Sequence, residues 1–264
     1  VIRRELPPAS AFAGDDGATD PRLAAALAGP ADGSVQVPDV VSALAQARVL
    51  VPVLPVPEYD ESGRRRTATG VVAVATADGR TALPVFSSID ALSTWHEHAR
   101  PVPTPGPTAA QAACAEGWEV LVLDPAGPIT VVVPRPAVRA LASGSRWRPA
   151  VVDGEVRKEI RVAAVDAARG VAHVDAADAV PGVGAEVAVV IDVVPGLTRS
   201  ALDEALAAVG RRLAAVSVIA ADVDTIELRV RTAQVNDGAT GAAGRPRARS
   251  RRSPRPPDHR GSSG

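Results

Sequence analysis

The chain has 264 residues, of which 46% are hydrophobic and 22% charged, with a formal net charge of −1; this is an ordinary globular composition that leaves enough apolar surface for a sizeable core. Its single cysteine, Cys114, excludes an internal disulfide framework and a cysteine-built zinc site, since both need several thiols. Aromatic residues make up only 2%, so the core is expected to consist of Val, Ala and Leu joined by many small contacts.

Residues 1–19 mix Pro, Ala, Gly and Asp without periodicity and read as a flexible arm. Order is expected from Asp20, which caps a helix opened by Pro21, carrying Leu23 and Leu27 four apart and stopped by Gly29. A second helix over 38–47 presents Val40, Val41, Leu44 and Ala47 on one face. The β-branched run Val49–Val56 follows as a strand, expected to sit at a sheet edge or to begin irregularly because Pro52 and Pro55 lack ladder donors. Gly70–Thr76 and Arg80–Phe86 form a hairpin across Asp78-Gly79. Ser87 or Ser88 then caps a helix running to about Ala99 with Ile89, Leu92 and Trp95 on one side. Four prolines make 101–107 an extended loop.

The capping-box spacing of Thr108 and Gln111 opens an Ala-rich helix ending at Gly117. Val120–Asp124 and Ile129–Val133 form a second hairpin across Pro125–Pro128, and Pro136 starts a short helix closed by Gly144. Beyond a junction at Ser145–Pro149, strands are expected at Val156–Val165, Val171–Asp175, Ala185–Val194 and Val223–Thr232. Between the last two lies an amphipathic helix, Ser200–Leu213, burying Leu202, Leu206, Val209 and Leu213. The fold class is therefore α/β of the mixed α+β kind, a mixed sheet with flanking helices plus a smaller sheet-and-helix unit. The domains are read as an arm over 1–19, an α/β domain over 20–147, a second over 148–233, and a disordered Arg/Pro-rich tail over 234–264.

Two segments carry a family resemblance. The run Asp78-Gly79-Arg80-Thr81-Ala82-Leu83-Pro84-Val85-Phe86-Ser87-Ser88 with Leu92 and Trp95, followed by Leu121-Val122-Leu123-Asp124-Pro125-Ala126-Gly127, resembles the N-terminal domain of the SseB family, named for a serine-sensitivity phenotype. Val194-Pro195-Gly196-Leu197 running into Ala201-Leu202 is similar to the family's C-terminal domain as found in actinobacteria. Arg-for-Lys usage, with Lys158 the sole lysine, suits such a GC-rich source, in which Val1 is an alternative start or a truncation. Many members have Asn where Asp124 stands. The resemblance implies a cytosolic two-domain protein and no established catalytic residues.

Candidate chemistry is sparse. His96 and His98 flank Glu97, but residues two apart on a helix point about 200° from each other, so no metal site is expected there. His173 reads as a structural residue within a strand, and His259 lies in the tail. Cys114 lies beyond the first helical turn without a basic neighbour and reads as a small buried hydrophobe rather than a nucleophile. There is no glycine-rich phosphate loop, no G-x-S-x-G elbow and no spaced acid/base pair; Asp203-Glu204 sits in the first turn of a helix, where the dipole explains it. Phe86, Trp95 and Trp118 read as core rings, and Trp147, between Arg146 and Arg148, as a seal at the domain junction. No catalytic residue, metal or cofactor is expected.

Residues 245–260 hold seven arginines against Asp258, which leaves the rest of the chain acidic and suggests weak contact with RNA or an acidic partner through Arg245–Arg260. The first thirty residues lack a signal-peptide pattern and no stretch is long enough for a membrane span, so a cytoplasmic location is expected. The favoured reading is a non-enzymatic interaction or regulatory protein with unknown protein partners. Its surface would be the groove between domains, or the turns holding Asp78, Gly79, Asp124, Pro125 and Gly127, with Phe86 and Trp95 beside them. The alternative is an enzyme or small-metabolite sensor linked to amino-acid metabolism.

Overall fold

The computed structural model describes residues 12, 14–30, 33–59 and 65–232. The expected tail and the first eleven residues of the expected arm lie outside them.

Helix α1 (Pro21–Ala28) starts where expected, the Asp20 side chain accepting from Arg22 N and Pro21 filling the first position. It ends at Gly29, whose φ is 67° and where a Cβ would stand 2.4 Å from the Ser34 carbonyl oxygen, so only glycine fits. α2 (Val37–Leu44) buries Val40, Val41 and Leu44 and leads into β1 (Arg48–Tyr59). β2 (Arg65–Val71), β3 (Val74–Ala75) and β4 (Thr81–Val85) follow, then α3 (Ile89–Trp95), β5 (Arg100–Pro105) and α4 (Gly106–Ala115). β6 (Val120–Leu123), β7 (Val131–Val133) and α5 (Arg135–Ser143) complete the first half.

β1 is central, with β2 and β5 antiparallel on either side, rather than an edge strand. The alternation of hydrogen-bonding sides explains how its prolines are tolerated. Leu50 exchanges both backbone bonds with Phe86, at 2.8 and 2.9 Å, so Pro52 turns its missing donor to that same side, in the gap before β2 pairing begins at Val53. Pro55 turns the opposite way, past the end of β5 pairing at Val53. β5 corrects the expectation of a loop. Pro101, Pro103 and Pro105 occupy every second position, opposite Pro52, Leu50 and Arg48, so all their missing donors face outward and blunt the edge.

β4 and β6 are parallel and central in the order β3-β4-β6-β7, with β3–β4 and β6–β7 the two expected hairpins. Their side chains alternate. Leu83, Val85, Leu121 and Leu123 join the main core under the helices, whereas Ala82, Val120 and Val122 face the other side. α4 opens at Gly106, not at Thr108; a Cβ at Gly106 would lie 2.0 Å from the Leu44 carbonyl oxygen, which brings α4 against the end of α2. The buried face of α4 is Gly106, Ala109, Ala110 and Ala113, so Cys114 points outward and is exposed, contrary to its expected burial.

The second half opens with a short hairpin, β8 (Val151–Val152) and β9 (Glu155–Val156), across Asp153 and Gly154 with φ of 52° and 76°. α6 (Lys158–Ala168) stands where a strand over 156–165 was expected. Ile160, Ala164 and Ala168 repeat every four residues and are buried, while the β-branched Val162 that suggested a strand is exposed. β10 (Val174–Pro181) is antiparallel to β11 (Val187–Val193); after α7 (Arg199–Ala215) and α8 (Ser217–Asp222), β12 (Ile226–Thr232) pairs parallel to β11. His173 precedes β10 in an exposed turn at φ 67°, so it is not a strand residue. A second aliphatic core joins Ile160, Val189, Ile191, Val209, Leu213 and Ile219. The chain is therefore a mixed α/β protein, with 8 helices over mixed and antiparallel sheets among the described residues. No described helix is long and apolar enough to cross a membrane.

Candidate functional site at the carboxyl ends of β4 and β6

Beyond the carboxyl ends of two adjacent parallel strands lies the strand-end crevice, the position at which α/β sheets commonly hold ligands. Here β4 exits into Phe86-Ser87-Ser88 and β6 into Asp124, with Val85 level with Leu123. Asp124 N donates to Val85 O at 2.9 Å, and Ser87 N donates to Asp124 Oδ1 at 2.7 Å. Ser87 and Asp124 are the two buried polar residues among those described, 5% and 6% exposed, and they are bound to each other. Burial pushes the Asp124 carboxyl above its ordinary range, and the hydrogen bonds from Ser87 pull partly back.

The turn that follows is tight. Asp124 and Ala126 take positive φ, 51° and 64°, which for non-glycine residues costs energy that the surroundings must supply. Asp124 O receives Gly127 N at 3.0 Å and Thr130 Oγ1 at 2.9 Å, and a Cβ on Gly127 would approach that same oxygen to 3.1 Å. Phe86 is fully buried behind the crevice with the Trp95 ring 5.2 Å away, and Ser88, not Ser87, caps α3 by accepting from Ala91 N.

One wall comes from residues expected to be loose. Arg48 Nε and Nη2 grip the Asp15 carboxylate at 2.5 and 2.8 Å, while its Nη1 donates to Ser87 O at 2.7 Å. Ile89 N donates to Gly17 O at 2.9 Å and Gly17 is buried, so the segment before Asp20, expected to be loose, is already held at Asp15–Gly17. The Arg48 hydrogen bonds hold the Asp15 carboxyl below the ordinary range. Arg48 escaped the sequence reading, although it is the one charge in the run 44–56.

Asp78 and Gly79 are not part of this crevice: they precede β4, at the opposite end of the same strand. Gly79, at φ 83°, closes the β3–β4 turn, and Asp78 accepts from Thr76 Oγ1 and, at 2.8 Å, from Arg80 Nε. Arg80 Nη1 reaches Asp224 of the second half, so this turn serves a contact inside the chain. Thus Phe86, Trp95, Asp124, Pro125 and Gly127 share one end of the sheet, with Pro125 half-buried in the turn.

α3 ends at Trp95, so the helical argument separating His96 from His98 does not hold; their rings are 6.0 Å apart and His96 Nδ1 accepts from His98 N. No group of three or more His, Cys, Asp or Glu placed to hold a metal ion occurs among the described residues.

Residues 22–140 match the family described as SseB protein N-terminal domain. This match supports membership of the SseB family. No curated protein and no solved structure gives a significant match. The matched span contains the residues around these strand ends except Asp15 and the segment to Thr19, together with the Asp78–Ser88 and Leu121–Gly127 runs. Val194–Leu197, the turn between β11 and α7, lies beyond it.

Proposed function

We propose that this SseB chain is a non-enzymatic interaction or regulatory protein whose contact surface is the Asp124–Pro128 turn and the apolar side chains beside it. The carrying observation is the direction of the Asp124 carboxylate. It is spent inward on Ser87 N, where it shapes the turn, while Ala126, Pro128, Ile129 and Val132 are exposed. A costly backbone presenting apolar groups outward suits recognition of a protein surface better than proton transfer. A photo-crosslinking residue at Ile129 should capture a discrete partner that the same group at Val183, 90% exposed on the second half, does not. Identical captures from both positions would contradict the reading.

The similarity of Val194–Leu197 to the family's C-terminal domain supports placing residues 148–233 in the two-domain actinobacterial form, and the single cysteine supports a cytoplasmic setting. Contact of the Arg245–Arg260 segment with RNA or an acidic partner is a further proposal and lies outside the described residues. The alternative reading, a small-metabolite sensor, draws on an arginine-lined cavity at the seam between the two halves.

A further inference from the structure

A cavity of about 300 Å³ opens where the end of α5, the junction and the end of α8 meet. Its walls hold four arginines, Arg139, Arg146, Arg148 and Arg157, against one carboxylate, Asp222. The side chains of Arg139, Arg146 and Arg148 have no hydrogen-bond or ion-pair partner among the described residues. Arg157 is different. Its side chain is 8% exposed, with Nη2 on Asp222 and Nη1 3.1 Å from Glu159, yet its Nε has no partner. Trp147 also lines the cavity, and its indole Nε1 is buried without a partner. Among the described residues these are the two buried side-chain nitrogens left unpaired, and both are on residues that line this cavity. Such donors are costly to leave unmade, and their coincidence with three free guanidinium groups points to an acceptor that binds there.

The opposing field of the α5 carboxyl end is muted. Three of its last four carbonyls are taken, Ala140 O by Ser145 N and Ser143 Oγ, Leu141 O by Gly144 N and Ala142 O by Gln111 Nε2. The remaining excess is cationic, and guanidinium groups arriving from three segments match a tetrahedral dianion with three acceptor oxygens better than a planar carboxylate of single charge. The volume is at the lower end for small-molecule sites.

We infer that this cavity binds a small phosphate-bearing ligand, a phosphate monoester or pyrophosphate, held by the guanidinium groups of Arg139, Arg146 and Arg148 beside the buried donors of Arg157 and Trp147. The inference rests on the metabolite-sensor reading and names its ligand class; the partner surface at the Asp124–Pro128 turn is independent of it. Because Arg139 belongs to α5 and Arg157 precedes α6, the ligand bridges the two halves and stabilises them together.

The test uses the full chain at low ionic strength, titrated calorimetrically with pyrophosphate and, separately, with succinate. Pyrophosphate is expected to bind, to raise the melting temperature, and to change a tryptophan fluorescence signal that Trp147→Phe abolishes. The double variant Arg146→Gln/Arg148→Gln is expected to weaken pyrophosphate by at least about tenfold, whereas Arg199→Gln, at a side chain 92% exposed and away from the cavity, leaves it unchanged. Equal weakening in both variants, or no effect of either, would reduce the binding to diffuse charge and overturn the inference. Succinate binding with the same arginine dependence, without pyrophosphate binding, would overturn the phosphate class and leave a sensor standing. If neither ligand binds, both readings fall.

Discussion

Arg80 and Asp224 are 144 positions apart and meet in space, Arg80 Nη1 lying 2.8 Å from one Asp224 oxygen and 3.0 Å from the other. Asp78 holds the Nε of the same guanidinium at 2.8 Å, and Arg135 N donates to Asp224 Oδ1 at 3.0 Å. Glu186 fixes the loop from behind, accepting Asp224 N at 2.8 Å and Ala150 N at 3.0 Å. The β3–β4 turn and the start of α5 are thus fastened to the loop before β12 at one carboxylate.

Asp224→Ala removes the acceptor of two donors at a position only 10% exposed. Its expected cost is about 2–3 kcal/mol, toward the lower end for breaking a buried pair because Arg80 retains some access to water. Urea unfolding followed by far-UV dichroism measures it; a change below about 0.5 kcal/mol, the range of an ordinary surface substitution, would show that the latch carries nothing.

Asp124 gives a pH signature of opposite sign to that of most paired carboxylates. Its folded pKa is raised, chiefly by burial, so the native state holds the proton more tightly than the unfolded chain. Stability is therefore lost as pH rises from the unfolded value through the folded one, and the penalty is complete above the latter. Asp124→Asn keeps an oxygen for Ser87 N and tolerates the left-handed backbone. The variant is expected to be more stable than the parent at about pH 7.5, with the gain shrinking toward about pH 4. A constant difference across that range would refute the assignment.

Arg48 governs the segment over the crevice. Arg48→Met is expected to speed hydrogen exchange at Gly17 N and Ile89 N, whose bonds depend on the seating of Asp15–Gly17, and to leave Val85 and Leu123 protected. Acid is expected to do the same. The Asp15 pKa is lowered by Arg48, so this contribution is present above the ordinary Asp range and is lost as pH falls through the folded value. Unchanged exchange at both amides would mean that Arg48 does not hold the segment.

Elements with strong local signals were legible in the sequence. Asp20-Pro21 and Gly29 bounded α1, and the hairpins at Asp78-Gly79 and Pro125–Pro128 followed from turn chemistry. Errors arose where tertiary pairing overrode composition. Proline counts argued against β5 and a central β1, yet the alternate prolines of β5 all turn outward and the two of β1 face gaps in the pairing, and only the register reveals it. The β-branched residues of α6 hid an Ile160–Ala164–Ala168 repeat. Phe86, Trp95, Asp124, Pro125 and Gly127, singled out by their order along the chain, come together at one end of the sheet. Arg48 with Asp15, and Arg80 with Asp224, were not, since nothing local announces a partner 33 or 144 positions away.

The approach of α4 to α2 offers a packing test. Gly106→Ala would place a methyl carbon 2.0 Å from the Leu44 carbonyl oxygen, a rigid backbone atom. The expected cost is about 1–3 kcal/mol or more by thermal or urea unfolding; a variant as stable as the parent would mean that the two helices sit further apart.

The Asp124 carboxylate is proposed to shape a contact turn instead of taking part in chemistry. The most direct measurement compares partner capture by the full chain, Asp124→Asn and Ile129→Asp, using the crosslinker at Val132, all three first shown to be folded. Capture is expected to persist in Asp124→Asn and to be lost in Ile129→Asp. Loss in Asp124→Asn with full capture in Ile129→Asp would contradict it.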